Sequence, residues 1–162
     1  MKRLFLMTLL LAIGAVAVAQ APAYFVKADM VRGAEGAMGI PCVPNSVFFN
    51  GEKVVFRAIV YDAATGEEMK MEQIQARGLT LTVHLDTVEP WTMFYPPPGV
   101  AGQPGPPPGA EYFRGTFVIP ADFPTGSYGW YITLVDAQGN AADFQPIGAA
   151  IGANSVTIQP AN

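Results

Sequence analysis

Gly78-Leu79-Thr80-Leu81-Thr82-Val83-His84-Leu85-Asp86 alternates aliphatic and polar side chains without a break. An extended chain repeats every two residues, so Leu79, Leu81, Val83 and Leu85 share one face while Thr80, Thr82, His84 and Asp86 share the other. That is a strand with one dry side and one wet side. Working outward, the same pattern recurs in Lys53 to Tyr61, where Val54, Phe56, Ala58 and Val60 carry no charge and the opposite face holds Lys53 and Arg57. It predicts Phe113, Phe117 and Ile119 inward between Tyr112 and Ile119, and Tyr128, Trp130, Ile132 and Leu134 inward between Ser127 and Val135. Val156 and Ile158 do the same near the end of the chain. Weaker strands are expected at Tyr24 to Val31, Ser46 to Phe49 and around Asp143 to Pro146. No segment carries a helical period.

The connections support strands. Asp62-Ala63-Ala64-Thr65-Gly66 and Asp136-Ala137-Gln138-Gly139-Asn140 each place an Asp able to bond the turn backbone ahead of a Gly able to take positive φ. Pro120 to Gly126 supplies another reversal. Short strands separated by such turns point to an all-β fold, an antiparallel β-sandwich of about seven to nine strands. Between His84 and Tyr112 runs a proline-rich segment, 96–109, that holds seven of the chain's 15 prolines. Proline lacks the N–H that a central ladder needs, so this stretch is expected as an extended loop.

Several motifs together resemble the bacterial immunoglobulin-like domains. They are Phe49-Asn50-Gly51-Glu52-Lys53-Val54-Val55-Phe56-Arg57-Ala58, Gly115-Thr116-Phe117-Val118-Ile119-Pro120, Pro124-Thr125-Gly126-Ser127-Tyr128 and Asp136-Ala137-Gln138-Gly139-Asn140. The resemblance spans about residues 43 to 159. It implies that Gly51-Glu52 opens the second strand and that Tyr128 takes the place of the corner tyrosine. The paired cysteines of antibody domains are absent, and resemblance of fold does not supply a function.

Of the 162 residues, the first 19 read as an export signal: Lys2 and Arg3, an apolar run from Leu4 to Val18, and Ala17-Val18-Ala19 before a cut ahead of Gln20. The run is shorter than the ~20 residues of a membrane-spanning helix, so no stable span is expected after cleavage. The protein is expected to be secreted or periplasmic, with 20–42 as an N-terminal segment or first strand and 43–162 as the sandwich. Without Lys2 and Arg3 the chain keeps seven basic and 13 acidic side chains, which argues against nucleic acid as a partner.

The catalytic inventory is thin: one histidine, one cysteine, and three serines at 46, 127 and 155. His84 falls on the wet face, where a hydrogen-bonded surface histidine is the ordinary outcome, and neither Ser127 nor Cys42 stands in a nucleophile-elbow context. Cys42, between Pro41 and Val43, reads first as a small buried hydrophobe, with an intermolecular disulfide or a ligand role as alternatives. Cys42, His84 and Met93 are ligand types of copper proteins, but the usual electron-transfer site needs a second histidine. Asp62, Glu67 and Asp136 suit turns better than calcium. Asp86 and Glu89 near Trp91 raise glycoside hydrolysis only as a remote reading.

No cofactor and no enzymatic activity are expected. Trp91, Phe94, Tyr95, Tyr112 and Phe113 flank the proline-rich loop and are read either as core support or as a contact patch for a protein partner, a second copy or a glycan. The leading expectation is a non-enzymatic exported module for protein or surface contact, or for assembly into an extracellular structure. The alternative is an accessory subunit of an exported redox or metal-handling complex using Cys42 and His84. Residues 20–31 either add a strand to a neighbouring subunit or close the chain's own sandwich, and the second is favoured.

Overall fold

Alternation is realised as two facing sheets in the computed structural model, which describes residues 23–34, 36–38, 42–95, 112–146 and 154–161. Residues 1–19, read above as an export signal, and the proline-rich segment 96–109, expected as a loop, lie outside the described residues. Among the described residues nine strands form: β1 (Tyr24–Arg32), β2 (Val47–Phe49), β3 (Lys53–Asp62), β4 (Thr80–Leu85), β5 (Val88–Thr92), β6 (Phe113–Val118), β7 (Gly126–Val135), β8 (Ala141–Phe144) and β9 (Ser155–Gln159). One sheet has the order β1-β3-β6, and the other β2-β9-β7-β4-β5, with β8 also paired to β7. The expected all-β sandwich is therefore present. It differs in one respect, because β2 runs parallel to β9 and the larger sheet is mixed.

Every aliphatic position read as inward on β3, β4 and β9 is buried, as are Trp130, Ile132 and Leu134 on β7. The core is pinned by aromatic side chains. Phe56 on β3 meets Trp130 edge-on at 4.9 Å and Trp91 at 5.6 Å, joining the small sheet to the large one. The aromatic chain continues from Trp91 through Phe117 and Phe123 to Tyr128. Gly115 makes room for it, since a Cβ there would stand 2.9 Å from the Trp91 indole nitrogen and 3.2 Å from Val83. The Tyr128 hydroxyl donates to the Pro124 carbonyl at 2.6 Å, fixing the chain where it crosses from β6 to β7.

Two crossings stitch the sides of the small sheet to the large one. On one side, Asn45 and Cys42 donate backbone N–H groups to the carbonyls of Met30 and Arg32 before the chain enters β2. On the other, Phe94 and Arg114 exchange both backbone hydrogen bonds, at 2.7 and 2.8 Å, as the chain leaves β5.

A helix, α1 (Met71–Ala76), departs from the expectation of none. Six residues and one buried side chain, Ile74, are too few to display a period in sequence. Its ends are nonetheless specified. The Gln73 side chain accepts the Lys70 N–H, and Gly78 closes the helix with φ +57 while Gly78 and Leu79 donate to Gln75 and Ile74. This pattern satisfies the last carbonyls and needs a left-handed residue at Gly78.

Gly51 and Glu52 immediately precede β3, the third strand and not the second, and the Glu52 carboxylate is wholly buried. It lies 2.8 Å from Arg32 Nε, a charge contact that is not a directed hydrogen bond. It also accepts the N–H groups of Met38 (2.6 Å) and Phe49 (2.9 Å). Arg32 donates onward to the Val47 carbonyl and covers the Phe48 ring. Removing one partner of a buried pair strands the other charge. Glu52→Ala is therefore expected to lower stability by about 3–5 kcal/mol in urea unfolding, with Glu52→Gln losing less; a loss under about 1 kcal/mol for the alanine variant would contradict this role.

Candidate interaction surface

The wet face of the large sheet carries His84 in a closed polar network. Thr133 donates its single hydroxyl proton to Asp143 Oδ1 (2.6 Å), so the 2.9 Å contact with His84 Nε2 requires the imidazole to donate. Register places His84 opposite Tyr131, and the two rings stack face to face at 4.4 Å. Its neighbours in the rows are threonines: Thr82 pairs with Thr133 and with Thr92. Ser127 stands four positions from Tyr131 on the same strand, roughly 13 Å at strand spacing, beyond the reach of a hydrogen bond to His84.

The acidic candidates are occupied by turns. Asp86 accepts the Gly129 N–H at 2.6 Å and ties the β4–β5 turn to β7, while Glu89 is exposed on the edge strand. The Ala64 N–H, followed by Arg77, holds the Asp62 carboxyl below its ordinary value. Asn140's side-chain amide leads the same effect at Asp136. Among the described residues, no three His, Cys, Asp or Glu side chains gather as a metal site would require.

The outer face of the small sheet has a different character. Register sets out its rows: Phe25 beside Tyr61, Lys27 beside Ile59, Asp29 beside Arg57 and Arg114, Val31 beside Val55 and Thr116, and Lys53 beside Val118. Phe94 extends the third row through its bridge to Arg114. Phe25, Phe94 and Val118 are 53%, 57% and 58% exposed. Arg57 grips Asp29 with a two-pronged bond of 2.7 and 2.6 Å, which raises the pKa of the guanidinium. Lys27, Lys53, Arg57 and Arg114 share this face with Asp29 as the only acid on the rows, although the chain as a whole carries net charge −4. The result is a sheet face of basic character on an acidic protein, with apolar groups exposed at Phe25, Phe94 and Val118 and Val31 covered.

The five aromatic residues flanking the proline-rich loop separate accordingly. Phe113 is buried at 3% exposure and belongs to the interior, not to a contact patch, because it occupies an inward position of β6. Trp91 is half-buried between the sheets, and Tyr95 packs edge-on against Phe113 at 4.8 Å. Tyr112 is half-buried and lies near Arg57. Phe94 alone of the five turns well outward. Phe25, Lys27 and Val118 escaped the sequence reading as contact residues, since outward apolar residues follow from register and not from alternation alone.

Cys42 also departs from its first reading: it is exposed, at φ +61, with its N–H bonded to the Arg32 carbonyl at the side of β1. It stands beside Arg32 at the edge of the small sheet, whereas His84 lies on the outer face of the other sheet. The two do not converge on one ligand. No protein-family model matches the chain, and no curated protein matches it in sequence. An exposed thiol predicts that Cys42 reacts fully with Ellman's reagent without denaturant; reaction only after unfolding would show it covered.

Proposed function

We propose that this chain is an exported, non-enzymatic immunoglobulin-like module that works by surface contact with a protein partner, through the outer face of β1, β3 and β6. The observation that carries the reading is the exposure of Phe25, Phe94 and Val118 on the same sheet face as Lys27 and Arg114. Exposed apolar groups rimmed by charge mark contact surfaces in folded proteins. The immunoglobulin-like part is supported by the strand orders β1-β3-β6 and β2-β9-β7-β4-β5, and by the Tyr128 bond to a carbonyl four residues upstream. Export is supported by the first 19 residues, with Gln20 as the mature terminus.

A photo-crosslinking residue placed at Phe94 or Val118, in cells that naturally make the protein, tests the surface. Discrete adducts are expected from these positions and not from Thr80 or Thr157 on the opposite sheet. Adducts only from the opposite sheet, or none, would overturn the reading.

A further inference from the structure

The small sheet ends on β1, and the hydrogen-bonding phase of that strand is fixed at both ends. Gly33 donates to the Lys53 carbonyl and Ala63 donates to the Ala23 carbonyl, so odd-numbered residues of β1 direct their backbone groups to β3. Even-numbered residues direct theirs away. Met30 and Arg32 are met there by Asn45 and Cys42, but Tyr24, Val26 and Ala28 precede that cover, and among the described residues no strand pairs with their side. Half of the edge is sealed, and among the described residues nothing meets the N–H and C=O groups of the other half. An open edge of this kind is a template for another extended chain.

The side chains on the open half select what can pair. Phe25 and Lys27 stand on the outer face of the strand, both exposed, and Lys27 has no ion-pair partner among the described residues, whereas Asp29 beside it is committed to Arg57. Two identical edges meeting antiparallel about Val26 would set Phe25 against Lys27 and bring both Lys27 ammonium groups to diagonal positions on one face. Like charges so placed oppose pairing, and a lysine on an edge is a usual guard against self-association. A strand with a carboxylate across from Lys27 and an aliphatic group across from Phe25 meets no such penalty.

We propose that the Tyr24–Ala28 edge of β1 is a strand-addition site for an extended protein segment carrying an acidic residue opposite Lys27 and an apolar residue opposite Phe25. Resting on the contact reading above, this names the kind of partner. The strand that could have been donated to a neighbour is instead seated in its own sheet, and serves as the acceptor.

The test uses two labelled nine-residue peptides of alternating valine and threonine, one with a central glutamate and one with a central lysine, titrated onto the protein by fluorescence anisotropy with amide NMR shifts read alongside. The glutamate peptide is expected to bind about fivefold tighter than the lysine peptide, with the largest shifts at Val26 and Ala28. Lys27→Glu should reverse the ranking. Ala28→Pro removes an outward N–H that β3 does not use, and should abolish binding of both peptides while circular dichroism stays that of the folded protein. Should Ala28→Pro unfold the chain, the Lys27→Glu reversal still decides. Thr80→Ala, exposed on the other sheet, should leave the peptides unaffected. Equal affinity for both peptides, no binding of either, or shifts centred away from β1 would overturn the strand-addition site. Crosslinks at Phe94 without peptide binding would do so while leaving the broader contact surface standing.

Discussion

A buried carboxylate holds the crossing points of this sandwich together. Glu52 has its side chain in contact with Arg32 from the end of β1, Met38 from the following loop and Phe49 from the end of β2, while its own carbonyl accepts the N–H of Ile119 beyond β6. Four parts of the chain meet at one residue. A charge taken out of water must be met on nearly all its acceptor sites, so none of these segments can drift without exposing an unmet partner. That constraint sets where β1 stops, and therefore which part of its edge the segment 42–45 covers.

The aromatic core acts at the other level, closing the two sheets face to face. Phe56 between Trp91 and Trp130 fixes their separation, and the run of rings through Phe117 and Phe123 to Tyr128 carries the packing out to the β6–β7 crossing. Gly115 is part of the same arrangement, because any larger residue would press on Trp91. With the inner faces consumed in this way, the two outer faces are left to differ. One is a field of threonines around the His84 network, and the other is apolar and basic.

Much of the fold was legible because alternation reports burial directly: Leu79, Leu81, Val83 and Leu85 face inward for the same reason they alternate. The two Asp-and-Gly turns were equally plain, since Gly66 and Gly139 take φ +71 and +82 where their motifs require it. What escaped depends on long-range placement. The parallel pairing of β2 with β9 has no local signature. Helix α1 is too short for a period, and the meeting of Arg32 with Glu52 joins residues 20 positions apart that share no local pattern. The apolar neighbours of Cys42 suggest burial, whereas the residue is exposed where the chain docks on Arg32. Alternation sets Phe113 inward, whereas the outward turn of Phe94 follows only from its bridge to Arg114.

The small sheet's edge is thus the product of a register fixed by β3, a cover that stops at Met30, and a lysine left on the open half. Native-state hydrogen exchange of individual β1 amides tests this most directly. Phe25, Lys27 and Asp29, bonded to β3, should exchange slowly, and Val26 and Ala28 should exchange orders of magnitude faster. Uniform protection along β1 would mean that the edge is already covered, and uniform fast exchange would mean that β1 is not held in the sheet; either result would contradict the account.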